Sequence, residues 1–285
     1  MWRLQEHDRI RYNLEVDSTL AQLKASDKVL ETIDPDKLQF EVRSIIPSYP
    51  IVVVPGAFTQ EYPDHDARGQ RIIHAAKSIG LDAETIGLPS FCSPQTGGEC
   101  IAKWLGQSDK RDIILVSLSK GSADTASFFS SPQHYALRKQ IRAWVSIGGL
   151  LYGTPIINTI CANPMLRLYI STLLRLKGYR FKDLKTLMWH RTMAPPWNDY
   201  DLPIVPMLHV QSIPRYEHLS CPLAIRAVKR ALSYGVSDGG GILLSDLLRY
   251  KEPLLLVEKR DHYFKDLPIQ ALLHRILFWI NHLSQ

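Results

Sequence analysis

The stretch "DIILVSLSKGSAD", Asp112 to Asp124, sets Ser119 between an apolar run and a run of helix-compatible residues. A serine hydroxyl is a weak nucleophile until a base takes its proton. The pattern that presents such a serine is G-x-S-x-G, a strained turn joining a buried strand to a helix. Here Ser117 stands where the first glycine would be, and Gly121 supplies the second. Both positions must be small because the turn presses neighbouring backbones together, and both are.

The base is sought among ten histidines. Reactive groups of an open parallel sheet gather at the carboxyl ends of its strands, and His262 in "EKRDHYF" directly follows the last apolar strand run. His7, His65, His134 and His282 lack that placement and read as surface or structural residues. A catalytic imidazole needs a carboxylate to fix its tautomer. Asp238, in the glycine-rich "GVSDGGGILLSD", is the best choice and gives the chain order Ser, Asp, His. Asp261 adjoins the histidine, but neighbours on an extended chain point apart, so it ranks lower, as does Asp246. An oxyanion would need preorganised N–H donors. The backbone of Lys120, directly after the serine, is one; Ala57 or Phe58, in the loop after "VVVPG", is the other. A cation at a helix start opposes the helix dipole, so the Lys120 side chain either points into solvent or finds a partner. Asp124, one turn along, is the expected partner.

The surrounding elements follow from pattern. Ile51–Val54 is a continuous apolar run closed by Pro55 and Gly56, the signature of a strand buried on both faces. A helix over 66–79, a short strand in "LDAETIGL", a helix over 96–105, a strand over 112–116, a helix over 120–130 and the strand "IRAWVSIGG" follow in alternation. Such alternation predicts a doubly wound, mostly parallel α/β sheet. Leu14, Leu20, Leu23, Val29, Leu30 and Ile33 predict helices in residues 1–46, with Asp17 or Ser18 as N-caps. Residues 150–203 interrupt the alternation with helix-rich, basic sequence and read as a cap inserted into a domain spanning 47–285. Strands return in "VPMLHVQSI" and "PLLLVEKRDHYF", and the helix "PIQALLHRILFWINHL" closes the chain.

Bulk properties exclude more than they choose. A chain of 285 residues with 45% hydrophobic and 22% charged residues is an ordinary globular composition. The formal charge of +6 is concentrated between Leu166 and Thr192, where seven cations face only Asp183. Such a face can meet nucleic acid, an anionic membrane surface or an acidic ligand, or simply stay solvated. No nucleic-acid motif accompanies it, so nucleic acid is not an expected partner, while peripheral membrane contact through the basic cap is one. Cys92, Cys100, Cys161 and Cys221 lack zinc-type spacing, and no metal or cofactor is implied. The charged start "MWRLQEHDRIRYNLEVD" has no apolar leader, and no apolar run approaches the roughly 18 residues of a membrane span. The expected location is therefore cytoplasmic.

From Ile51 to Gln285 the chain resembles the α/β-hydrolase superfamily, in particular its lipase-like and esterase-like bacterial members. "SLSKGSAD" resembles their nucleophile turn in an S-x-S-K-G form. "VSIGGLLYGTPI" is similar to the strand-end segment that follows, "VSDGGGILLSD" to the acid loop, and "RDHYF" to the histidine loop. The resemblance implies Ser119 as nucleophile, His262 as base and Asp238 as acid, with Lys120 and Ala57 or Phe58 as oxyanion donors. It implies a small-molecule acyl substrate, an ester or thioester, and a carrier-bound or anionic one if the basic face takes part. Leu151, Met165, Leu168, Leu187, Met188, Trp189 and Trp197 would line the pocket or form the cap's own core. Two other readings share these residues: acyl transfer to a bound acceptor, and a non-catalytic binding protein on the same fold.

Overall fold

The computed structural model describes residues 4–38, 49–190 and 205–283. The strands are β1 (Val29–Ile33), β2 (Ile51–Val54), β3 (Ala83–Thr85), β4 (Ile113–Leu118), β5 (Ile141–Ile147), β6 (Met207–Ile213) and β7 (Leu254–Glu258). The helices are α1 (Glu6–Lys24), α2 (Gln70–Ser78), α3 (Pro94–Gln107), α4 (Lys120–Ser130), α5 (Tyr135–Arg138), α6 (Pro155–Ala162), α7 (Pro164–Leu176), α8 (Phe181–Lys185), α9 (Pro222–Ala231) and α10 (Ile269–Leu283). The sheet has seven strands in the order β1-β7-β6-β5-β4-β2-β3. The pairings β1 with β7, β2 with β3, β2 with β4, and β4 with β5 are all parallel. All of β2 is buried, as are the first five residues of β4 and the first four of β7. That is why these strands read as continuous apolar runs.

The chain divides into two compact units, one comprising 1–35, 152–193 and 210–266, the other 36–151, 194–209 and 267–285. In the second unit β2 has β3 on one side and β4 on the other. The chain reverses direction of travel across the sheet there, so the loops after β2 and β4 leave the carboxyl edge at a topological switch point, where α/β sheets place their chemistry.

Several helices start where the sequence sets a capping side chain before proline. Ser93 Oγ accepts from Thr96 N at 3.2 Å, Thr154 Oγ1 from Ile156 N at 3.3 Å, and Asn163 Oδ1 from Leu166 N at 3.0 Å, each with proline next in sequence. The cap satisfies an orphan N–H, and proline at the first helical position has none to lose.

Near the start of the chain the structure differs from the sequence reading. Val29, Leu30 and Ile33, expected on a helix, lie on β1, paired in parallel with β7 from Val29 opposite Leu254 to Ile33 opposite Val257. Five residues are too few for periodicity to tell a strand from a helix, and backbone pairing with β7 decides. The helix before them, α1, starts after Gln5, and Asp17 and Ser18 fall in its interior, so neither is a cap. Residues 150–190 do carry only helices, α6 to α8, apart from one isolated bridge between Thr154 and Met188. The "MAPPWNDYDLP" segment with Trp197, the cap boundary at 203 and the boundary at 46 lie outside the described residues.

Candidate functional site

Ser119 occupies the single position between β4 and α4. Its backbone sits at φ 49°, ψ −117°, a region L-residues avoid, costing on the order of 1–3 kcal/mol and persisting only where neighbours over-determine it. Here the neighbours do: Ser119 N donates to Ile147 O at 2.9 Å, and Ser119 O accepts from Leu150 N and Ser122 N, both at 3.1 Å. Two residues on, Gly121 runs against β2, where an added Cβ would stand 2.5 Å from Pro55 O and 2.7 Å from Val54 O. That contact explains why the second glycine is kept.

The serine at the first glycine position is fully buried and has partners of its own. Ser117 Oγ accepts from Trp144 Nε1 at 2.8 Å and lies 2.8 Å from Ser122 Oγ, which in turn accepts from Ser146 Oγ at 2.9 Å. A hydroxyl in the dry core therefore costs little here, because it is hydrogen-bonded. The sequence reading treated Ser117 only as a small residue and missed Trp144 and the serine cluster. Ser117 is enclosed, whereas Ser119 is partly exposed.

The two candidate loop donors separate. Phe58, at φ 59°, donates its N–H to Ser90 O at 2.6 Å, and its ring stacks on Phe91 with centroids 4.7 Å apart. The Phe58 N–H is thus already engaged. Ala57 N–H donates to no acceptor among the described residues. Lys120 N–H is the first of α4, where no carbonyl four residues back belongs to the helix.

The Lys120 side chain is not in solvent. It is 2% exposed and Asp124 1%, with Nζ 2.8 Å from Asp124 Oδ2 and 2.6 Å from Oδ1. Nζ also lies 3.3 Å from Cys92 Sγ and 5.8 Å from the centre of the Phe91 ring. The expected i, i+4 pair is therefore present, but inside the protein. Burial pushes the Asp124 carboxyl up to about 7, with Lys120 opposing by charge and hydrogen bond. Burial likewise raises the Cys92 thiol, again opposed by Lys120. The space for this pair is made on α3, where an added Cβ at Gly97 would collide with the Asp124 carboxyl group. Glycines in a helix interior cost about 1 kcal/mol each against alanine, so "GG" within α3 was the sequence signal for a close helix contact. Gly97→Ala is expected to destabilise the fold by about 3 kcal/mol, read as a lower chemical-denaturation midpoint at unchanged m-value.

In the other unit the structure brings His262 and Asp238 together. His262 Nδ1 lies 2.7 Å from Asp238 Oδ2, and His262 N donates to Asp238 O at 2.8 Å. Asp238 Oδ1 accepts from Gly240 N at 2.8 Å and Ile242 N at 3.0 Å. A carboxylate only accepts, so Nδ1 carries the proton and Nε2 is left as the acceptor nitrogen. Burial disfavours the imidazolium, yet the charge and hydrogen bond of Asp238, with help from Asp261, outweigh it and raise the His262 pKa above its ordinary value. The imidazole packs so closely on Gly240 that any Cβ there would overlap the ring.

The lower-ranked carboxylates have other partners. Asp261 Oδ2 accepts from Ser220 N at 2.6 Å and Ser220 Oγ at 2.8 Å, just ahead of α9. Asp246 accepts from Trp189 Nε1 at 2.8 Å and Arg249 Nη1 at 3.1 Å. Sequence reasoning also missed Tyr12 on α1. Its hydroxyl donates to Ser237 O at 2.5 Å, and burial, with the charges of Asp238 and Asp261, raises its pKa and keeps it a donor. The first helix thus braces the loop that carries Asp238, a contact spanning over two hundred residues of sequence. Among the described residues no cluster of three His, Cys, Asp or Glu side chains is arranged to hold a metal ion.

No family model matches the sequence, and no curated protein matches it in sequence. Solved structures do match in fold. The metagenomic carboxyl esterase MGS0156 superposes with a TM-score of 0.60 at 16% identity, over 95% of this chain and 91% of the esterase. The mature form of Bacillus licheniformis lipase BlEst2 superposes with a TM-score of 0.58 at 17% identity, over 87% of this chain and 97% of the lipase. With its parallel seven-stranded sheet, the chain has the α/β-hydrolase fold.

Proposed function

We propose that the chain is a serine hydrolase that cleaves a carboxylic ester or thioester through an acyl-enzyme intermediate. The observation that carries this reading is the strained backbone of Ser119 at the carboxyl end of β4, since such strain persists where geometry is functional. The His262–Asp238 contact supports it independently. That an esterase and a lipase share the fold accords with it.

In this mechanism Ser119 Oγ attacks the acyl carbon while His262 Nε2 takes its proton. The carbonyl oxygen becomes an oxyanion held by the N–H groups of Lys120 and Ala57. His262 then gives the proton to the leaving alkoxide or thiolate, the carbon–oxygen or carbon–sulfur bond breaks, and the acyl group stays on Ser119. Water, deprotonated by His262, attacks that ester, and the carboxylic acid leaves as Ser119 regains its proton. Asp238 holds the imidazole in the required tautomer and stabilises the imidazolium.

Hydrolysis of a series of p-nitrophenyl esters of rising chain length tests the proposal. Turnover by the intact protein, lost on His262→Ala, supports it. Equal turnover by both proteins contradicts it. The state of His262 also makes a pH prediction. The base works neutral, so kcat/KM should fall as pH drops through a pKa above the ordinary value of about 6.5. Asp238→Asn removes the charge that raises this pKa, so the acidic limb should move to lower pH while kcat falls by on the order of 10⁴. An acidic limb that stays in place would remove Asp238 from the mechanism.

A further inference from the structure

Helix α7, "PMLRLYISTLLRL", is apolar on two sides, and only one of them is covered. Leu166, Ile170 and Leu174 recur every fourth residue, and Leu174 is buried while the other two are half-buried. On the adjoining side, Met165, Leu168, Tyr169, Leu173 and Leu176 follow one another at helical spacing. Met165 is 83% exposed, Leu176 79%, Leu168 69% and Tyr169 60%. These values correct the expectation that Met165 and Leu168 line a pocket or a core. Leu151 and Leu187, by contrast, are buried, and Met188 and Trp189 are half-buried. Isolated surface leucines need no explanation, but a contiguous apolar stripe of this length marks an interaction site.

The charge around the stripe narrows what that site meets. Arg175 and Lys177 flank it on either side, and Arg180, Lys182 and Lys185 follow at once in the turn and α8, all exposed. The carboxylate of this stretch, Asp183, is buried and held by Arg180 at 2.9 and 3.1 Å. The face is thus apolar in its centre and of one sign at its edge. A second copy would bring like charges together at the rim, which opposes self-association. An anionic lipid surface complements both parts. Acyl chains receive the leucines and methionine, and headgroup phosphates receive the cations. A helix with an apolar face and a basic rim binds in the plane of a membrane in this way. At 13 residues α7 is far too short to cross one, and no described helix is long and apolar enough to do so.

We propose that the outward face of α7, with the cations that follow it through α8, is a docking surface for anionic membranes. Contact laid along the helix axis seats the apolar stripe among the lipids while Arg175, Lys177, Lys182 and Lys185 stay at headgroup level, their long stems reaching outward. The proposal does not depend on the assignment of Ser119, because it rests on a different surface.

The test is co-sedimentation of the full chain with vesicles of mixed phosphatidylglycerol and phosphatidylcholine, set against vesicles of phosphatidylcholine alone. Binding to the mixed vesicles, weaker by about tenfold or more on phosphatidylcholine and weakened by added salt, is expected. Tyr169→Glu with Leu176→Glu should lower it by about tenfold or more, and Lys182→Glu with Lys185→Glu should do so independently. Circular dichroism monitors folding, and Thr172→Glu, on the same exposed arc, supplies a milder variant if the double substitution fails to fold. No binding to anionic vesicles, or binding that none of these variants changes, overturns the proposal. So does a concentration-dependent dimer in analytical ultracentrifugation that Leu176→Glu abolishes without vesicle binding, since that assigns the face to a second copy.

Discussion

Ser119→Ala is expected to lower kcat for ester hydrolysis by on the order of 10⁵–10⁶-fold, as removing the nucleophile of a serine hydrolase does. Residual turnover would come from oxyanion stabilisation and binding alone. Stability should not follow activity. Ser119 is held at φ 49°, ψ −117° by backbone hydrogen bonds to Ile147, Leu150 and Ser122, none of which uses its side chain. Alanine keeps all three and keeps the strain, so the denaturation midpoint should change little. Ser119→Gly relieves the strain, because glycine tolerates positive φ. It should be as inactive as Ser119→Ala, yet folded more stably by about 1 kcal/mol or more. A stability loss on Ser119→Gly would mean the backbone at this turn is not strained, and the argument from strain to function would fail.

The second large effect concerns the buried pair beside Ser119. Lys120→Met should destabilise the protein by about 3–5 kcal/mol at neutral pH, because Asp124 would lose its partner in the core and would have to take up a proton to stay buried there. Lys120→Met with Asp124→Leu should recover most of that loss, since a buried ion pair is often no better than apolar residues of similar volume. The pH dependence has a definite sign. The folded Asp124 carboxyl sits near 7, above its ordinary value of 3.8, so between these values the native state holds a proton that the unfolded state has released. Stability from this group is full below about 4 and is lost as pH rises through about 7. Removing Lys120 takes away the interaction that opposes the shift, so the single variant should be least destabilised in mild acid. A Lys120→Met protein whose loss is independent of pH would show that Asp124 does not carry the effect. Activity should also fall in the single variant, because Lys120 donates its backbone N–H in the proposed mechanism and its side chain anchors that peptide.

Much of this arrangement can be read in the sequence where signals are local. Ile51–Val54 and the helix over 120–130 were expected at the bounds observed, because an all-buried strand and a helix starting directly after the elbow serine both leave unambiguous patterns. Asp238 was preferred for its glycine-rich turn and the order Ser, Asp, His, and Asp261 ranked lower as a chain neighbour of His262; in the structure His262 Nδ1 lies 2.7 Å from Asp238 Oδ2. The helix α9 was missed, although its Cys221-Pro222 start resembles those of other helices here. Non-local terms were out of reach. Val29–Ile33 became a strand only because β7 offers it an edge. The engagement of Phe58 N–H depends on Ser90, more than thirty residues away. The i, i+4 spacing announced the Lys120–Asp124 pair, but its burial is set by Gly97, Phe91 and Cys92 on other segments. Ser117 shows the same limit, since the partner that makes its hydroxyl acceptable in the core, Trp144, lies on the neighbouring strand.

The central claim is that Ser119 is the nucleophile. A fluorophosphonate probe forms a bond to an activated serine Oγ with loss of fluoride, and peptide mapping then locates the adduct. The account predicts one equivalent of label per chain on the peptide containing Ser119, absent in Ser119→Ala and slowed in His262→Ala. Label on Ser117, or no label on properly folded protein, would contradict it.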